Sequence, residues 1–462
     1  MKLTLKKICI ALFAASALVF AGCSDSDDST PVVVPTPEET PGDEGDTGGN
    51  SDVKDASISL TDAVTGYASL GTSYVTAGTP TTVTTKAELT NAISKGGIII
   101  IDGMIDISEG MLPAVGSNSL TSTSALDTFV HNTKSTYANY DAWVAAYAGA
   151  CAETTEDGDA TAPSGAAHSS KYDDLWALNK AYGNKIKLTL AAGTTLIGKS
   201  SMCGIRGGSI QLNGVKNIII RNLTIQDAYD PFPHHEVATS NGAYSKSDGY
   251  NAQWDGVNIQ GSCENIWIDH CTFEDTIDLA YTTVTTKEKW QTYDGLCDIK
   301  NDTTNVTVSN CTFRNHDKTM LIGSDDNDGD NTKRFITLSG NYFYNCGQRL
   351  PMVRNTKIHI FNNYYDASNP HYNQQYAIGR RKNCIIYAEN NYFGSGINAS
   401  IKETNGELHS SGNSDNAKTK ATTATDNALF SSLSIYTYTA VSADEAKTNA
   451  LANAGAGYTL AL

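Results

Sequence analysis

The chain has 462 residues, room for one large domain or two to three ordinary ones. Its 50 acidic and 33 basic side chains leave a net charge of −17, which argues against nucleic acid as a partner, since that needs a basic face. A polyanionic sugar stays open, because a metal in a local basic cleft can outweigh the global charge.

Residues 1–23 read as a secretion signal. Lys2, Lys6 and Lys7 form the charged start, and Ile8 to Phe20 is an apolar run too short to span a bilayer as a helix. Phe20-Ala21-Gly22-Cys23 is similar to a bacterial lipobox, which makes Cys23 the expected lipidation site. Asp25, Asp27 and Asp28 follow, as in the surface-export signal of some Gram-negative lipoproteins. An outer-membrane lipoprotein exposed on the cell surface is therefore expected, with periplasmic or secreted protein as the alternative. Residues 24–55, rich in Pro, Asp, Glu, Gly, Thr and Ser, read as a disordered acidic tether.

Residues 56–462 read as the folded domain. From Val83 the pattern predicts a short helix, a Gly-Gly stop and a buried strand at Ile98 to Ile101. Two stretches, DAWVAAYAGA and YDDLWALNKAYG, predict a helical insertion over about 113–184, around a polar loop at 153–170. DAYDPFPHHE (227–236) reads as a lip over a cleft, without the spacing of a zinc site.

A repeat then decides the fold class. IIIRNLTI (218–225), IWIDHCTF (266–273), VTVSNCTF (306–313), ITLSGNYF (336–343), IHIFNNYY (358–365) and IIYAENNYF (385–393) share alternating apolar residues, a polar pair and a terminal aromatic or Ile. A strand-turn unit recurring every ~20–50 residues marks a solenoid with one continuous core. Short strands and irregular spacing favour an all-β, single-stranded parallel β-helix, with ladders of stacked Asn and aromatics at its turns. The leucine-rich-repeat pattern is missing. Of Cys151, Cys203, Cys263, Cys271, Cys297, Cys311, Cys346 and Cys384, an exported chain could pair some, but several sit at apolar repeat positions, where core packing is the expected role. The polar stretch from about 400 to 462 reads as a C-terminal wrap.

Chemistry concentrates between Tyr293 and Arg354. Asp294 and Asp298 are four apart, so on a strand both face one side, with Cys297 and Ile299 pointing into the core. Such a carboxylate pair suits a hard cation such as calcium. Lys318, Arg349 and Arg354 add clustered positive charge, so an anionic substrate between metal and basic groups is the expectation. Asp269 and His270 lie inside a repeat unit as its polar pair, and a structural role is expected there. SDDNDGDNT (324–332) is rich in potential calcium ligands but fails the EF-hand pattern at Ser324 and Phe335, leaving a plain acidic loop as the default and a second calcium site as the alternative.

QWDGVNIQGSCENIWIDHCTF, YDGLCDIK, NHDKTMLIGSDD and QRLPMVR followed by IHIFNNYY together resemble the pectate lyase superfamily, polysaccharide lyase family 1. The resemblance runs over roughly residues 83–395. It implies a right-handed parallel β-helix and a monomer whose substrate is polygalacturonate or pectin. It also implies that Asp255, Asp294 and Asp298 bind Ca2+, that Lys318 and Arg354 grip substrate carboxylates, and that Arg349 is the base. The implied reaction is β-elimination of α-1,4-polygalacturonate to 4,5-unsaturated oligogalacturonides. The chemistry is coherent: the C5 proton lies α to a carboxylate, and cations at that carboxylate would stabilise the charge that develops. Arginine is ordinarily protonated, but like-charge crowding would favour the neutral form a base needs. A pectin lyase acting on methyl esters has no need of three calcium carboxylates. A non-catalytic surface glycan-binding β-helix has no need of Lys318, Arg349 and Arg354 together.

Overall fold

The computed structural model describes residues 53–117, 122–153, 170–240, 243–277, 290–369, 372–403, 405–421 and 436–462. Cys23, the expected leader and the expected tether as far as residue 52 lie outside these residues. Among them, parallel strands stack into three long sheets of eight, ten and nine strands. Each coil of the chain contributes one strand to each sheet in turn. Val257–Gln260, Glu264–Asp269 and Thr272–Glu274 make one coil, and Cys297–Ile299, Thr304–Ser309 and Thr312–Arg314 the next. The fold is the parallel β-helix expected from the repeat, with the right hand that the family resemblance implies.

Alternation explains the coils. Ile266 pairs with Val306, then Ile336, Ile358 and Ile386 on successive rungs, and all five are fully buried. Burying an aliphatic side chain is worth about 1.5–3 kcal/mol, so each rung adds its own increment to a shared core. The coils turn where a residue adopts the left-handed conformation. Asn222, His270, Asn310, Asn362 and Asn390 hold φ near +50° between the second and third sheets, and Gly340 takes the equivalent place. Asn and Gly are the residues that reach this region most readily.

The residue after each such turn points inward and is a ladder rung. Asn341, Asn363, Asn391 and Asn413 are linked by Nδ2-to-Oδ1 hydrogen bonds of 2.9–3.0 Å. Cys271 and Cys311 hold the earlier rungs, where Cys311 N donates to Asn341 Oδ1. Two residues further on, Phe273, Phe313, Phe343, Tyr365 and Phe393 stack face to face, with centroids 4.7–5.0 Å apart. Cys203, Cys263, Cys271, Cys297, Cys311, Cys346 and Cys384 are all buried free thiols.

Helices Ser124–Thr133, Tyr140–Glu153 and Ser170–Ile186 pack on the solenoid through Phe129, Tyr140, Trp143 and Tyr182, which surround Phe232. Helix Lys86–Ile93 opens with a capping box between Thr85 and Glu88. The C-terminal wrap begins later than the composition suggests. Ile401–Glu403, Glu407–Ser411 and Ser414–Asp415 form one more coil, with Ile401 and Leu408 inside and Asn413 on the ladder. Its outward positions are polar, which obscures the strand pattern. Helix Ala443–Asn453 then lies along Tyr342, Tyr364 and Tyr392, and Thr459–Ala461 pairs with Ser57–Ser59.

Candidate active site

The outward face of the first sheet, with the turns that lead into its strands, carries the charged cluster. These turns are themselves stacked. Gly256 N donates to Gly295 O, Leu296 N to Thr319 O and Thr319 N to Gln348 O. Asp255, Asp294, Lys318 and Arg349 therefore fall on four neighbouring rungs, each about 4.8 Å from the next.

Asp298 is the middle residue of strand Cys297–Ile299 and projects outward beside Asn258, while Cys297 and Ile299 are buried in the core. Asp294 does not share that strand. It stands in the preceding turn, so even spacing is not what brings the two carboxylates together. The strand is too short, because the chain is still completing its turn until Leu296. Asp255 also lies just before a strand, and its Oδ1 accepts a 3.0 Å hydrogen bond from Gly295 N. Asp298 Oδ1 accepts one of 2.9 Å from Leu321 N.

Lys300 joins this pair, although the sequence motifs do not single it out. Its Nζ lies 2.9 Å from Asp255 Oδ2 and 3.1 Å from Asp298 Oδ2. Its signal in the sequence is parity: two residues beyond Asp298 on a strand is the same face. Burial, then the nearby Asp298, push the Asp255 carboxyl up to about 8, against the opposing pull of Lys300.

Lys318 is buried and bridges Asp294 Oδ1 at 2.7 Å and Asn251 Oδ1 at 2.6 Å. Burial works to raise the Asp294 carboxyl, but Lys318, Lys300 and Arg349 outweigh it and hold it below the ordinary range. Asn251 ends the antiparallel hairpin His234–Ser240 and Ala243–Asn251, which has no repeat signature to reveal it. Arg349 sits at φ +60°, unusual for a long side chain; most other non-glycine residues with positive φ here are asparagines. Left-handed backbone costs a non-glycine residue roughly 1–2 kcal/mol and concentrates at functional sites. Arg354 follows strand Met352–Val353, on the same row as Gly323 and Lys300. Its guanidinium is buried, 3.1 Å from Gly323 O through Nη1 and 3.3 Å from Asp326 Oδ1 through Nε.

A hard cation suits this donor set. Asp255 and Asp298 turn oxygens toward the Cα of Gly295, where an added Cβ would stand 3.0 and 2.2 Å from their Oδ1 atoms. Two buried carboxylates packed side by side against one glycine offer oxygen-only donors, which matches the preference of calcium. Among the described residues no three acidic, His or Cys side chains are gathered where they could hold a metal ion, and Asp294 is paired with Lys318 at 2.7 Å.

Other candidates resolve as structural. In the acidic loop, Asp328 accepts from the buried Arg334 at 2.8 Å and from Ser324 N at 2.6 Å, so its oxygens hold the loop closed. Asp269 binds Arg221, His270, Ser309 and Asn310 on the second sheet. The expected lip is a correction: Phe232, His234 and His235 are buried, not exposed over a cleft. The helical insertion covers them, with His235 N bonded to Tyr147 Oη and His234 packed on Trp176.

A family model described as pectate lyase matches residues 138–459. Pectate lyase E of Dickeya dadantii (strain 3937) is 38% identical over 213 residues, 45% of this chain and 50% of that protein. The pectate lyase of Bacillus subtilis (strain 168) is 36% identical over 211 residues, 45% of this chain and 49% of that protein. The chain thus spans about half the length of the curated relatives it matches. In fold it is similar to the pectate lyase from Acidovorax avenae subsp. citrulli, with TM-score 0.67 and 22% identity over 91% of this chain and 99% of that one. It is also similar to a polygalacturonate lyase fused with a self-assembling amphipathic peptide, with TM-score 0.63 and 26% identity over 88% and 99%. With the matched region taking in every coil that carries the charged cluster, the chain belongs to the pectate lyase family, polysaccharide lyase family 1.

Proposed function

We propose that the protein is a calcium-dependent pectate lyase that cleaves α-1,4-polygalacturonate by β-elimination to 4,5-unsaturated oligogalacturonides. The observation that carries this reading is the stacking of Asp255, Asp294, Lys318 and Arg349 on adjacent rungs. A run of anionic sugars laid across the coils would meet two carboxylates and then two basic groups on successive rungs. Asp255, Asp294 and Asp298 would hold calcium, which would supply Lewis-acid chemistry at the substrate carboxylates. Lys318 lies beside Asp294 and would pair with the carboxylate next to the reacting C5. Arg349 in its neutral form would take the C5 proton. The C5–H electron pair becomes the C4–C5 double bond as the C4–O4 bond breaks, and the departing O4 takes a proton from water. Arg354 grips a neighbouring uronate, turning from Asp326 to do so.

The same reading extends to location: a monomer tethered through Cys23 to the outer membrane and exposed at the cell surface. Replacing Cys23 by Ala should release the protein from the membrane fraction, and retention there would overturn the anchor.

The activity test is ultraviolet absorbance of unsaturated uronides formed from polygalacturonate at alkaline pH, with calcium and then with chelator. Calcium-dependent product supports the proposal. Product that ignores the chelator and needs methyl esters points to a pectin lyase. Absence of product with the polymer still bound points to a glycan-binding protein.

A further inference from the structure

The turn that presents Asp294 lies outside the regular strand pairing of the first sheet, yet three consecutive residues in it are tied to three different coils. Tyr293 Oη donates to Asp227 Oδ1 at 3.0 Å, and Gly295 N donates to Asp255 Oδ1 at 3.0 Å. Between them, the Asp294 carbonyl lies 2.6 Å from Nε2 of His316. A carbonyl oxygen only accepts, so Nε2 carries a proton. The other ring nitrogen, Nδ1, lies 2.7 Å from Asp275 Oδ2. Both His316 and Asp275 are buried, and the ring's two nitrogens are thus held by groups from two different coils. The imidazole can neither tilt nor exchange its partner for water.

Neither residue reaches the charged face, so they do not touch substrate. What they govern is the position of one peptide group. The side chain of Asp294 shares its Cα with that peptide, so a carbonyl held by a ring locked on Asp275 restricts where the carboxylate can go. On this basis, and resting on the calcium reading above, we infer that His316, oriented by Asp275, is a positioning residue that presets Asp294 as a calcium ligand. Buried hydrogen-bond partners that orient a ligand in this way commonly account for 10–100-fold in metal affinity. The motif NHDK therefore has two functions: Lys318 faces the substrate side, while His316, two residues earlier, anchors the ligand turn from beneath.

The test is calorimetric titration of calcium chloride into the full chain without substrate, for wild type, His316→Ala, His316→Gln and Asp275→Ala, with circular dichroism on each. The expected result is a 10–100-fold weaker calcium Kd for His316→Ala. His316→Gln, whose amide can still donate to the Asp294 carbonyl, should recover most of that loss. Asp275→Ala should fall between, and it serves as the main readout should His316→Ala not fold. Unaltered calcium Kd in folded variants of both residues overturns the inference, even if their thermal stability drops. Absence of calcium binding in the wild type would instead sink the calcium reading on which it rests.

Discussion

Gly295 and Asp298 are packed so closely that a Cβ on the glycine would stand 2.2 Å from the Asp298 Oδ1 atom. With only hydrogens on its Cα, Gly295 lets the Asp255 and Asp298 carboxylates pack directly against the chain. Gly295→Ala must displace one of these carboxylates while leaving the buried coil intact. Calcium affinity is expected to fall at least about tenfold, measured by calorimetry, with little change in melting temperature. Unchanged affinity would mean that the cation sits elsewhere.

Removing one charge from that pair tests the same assignment from the other side. Asp298→Asn keeps the shape and the Leu321 hydrogen bond but halves the negative charge facing Lys300. Its calcium Kd should rise, so that activity needs more calcium to saturate. Chelator should abolish the wild-type rate and calcium should restore it. Magnesium should restore little, since its smaller shell demands near-ideal octahedral geometry.

Arg349→Ala should lower kcat by roughly 10²–10⁴, the usual range for loss of a general base. Calcium Kd should stay within about threefold of wild type, because the guanidinium is not a ligand. Arg349→Lys should also be impaired, because an ammonium on a different stem does not reproduce the reach of a planar guanidinium. A kcat near wild type in either variant would remove Arg349 from the role of base.

The asparagine ladder makes a stability prediction. Asn363 donates to Asn391 Oδ1 and accepts from Asn341, deep in the core. Asn363→Ala leaves partners on both neighbouring rungs unsatisfied, which costs on the order of 2–4 kcal/mol. Thermal or denaturant unfolding should show that loss. A shift under about 0.5 kcal/mol would mean that the ladder contributes nothing net.

His234 sets a pH dependence. Burial holds its imidazole down at about 3, whereas an unfolded histidine titrates near pH 6.5. Between those values the unfolded chain binds a proton that the folded chain does not. Stability contributed by neutral His234 is therefore present above about pH 6.5 and is lost as pH falls toward 3, by up to about 1.4 kcal/mol per pH unit. His234→Leu should flatten the fall in melting temperature between pH 6.5 and 4. An unchanged slope would show that other groups govern the acid limb.

Part of the site is legible in the amino-acid sequence alone, because it rides on the repeat. Asp298 follows from strand alternation next to Cys297 and Ile299. Lys300 and Asn251 are harder to read: the first shares only its parity with Asp298, and the second lies in a hairpin outside the repeat. The lip expected at residues 227–236 fails for a related reason. Proline and histidine there suggest a surface turn, but Phe232, His234 and His235 are covered by helices that come earlier in the chain.

By itself, then, the sequence determined the solenoid. Alternating apolar residues, a left-handed Asn or Gly and an aromatic recur in each coil, and each coil packs only on its neighbours, so local pattern is enough to specify the stack. It also determined which residue types face outward from the strands. Only the tertiary structure decided which charges meet. Asp255 and Lys300 are 45 residues apart in the chain yet 2.9 Å apart in space, and the Asp275, His316 and Asp294 link joins three coils through one ring. Loops of unequal length separate these residues, so their meeting depends on how many residues each coil spends before it returns to the first sheet. Stacking at a fixed rung spacing brings them together, and periodicity along the chain does not encode it.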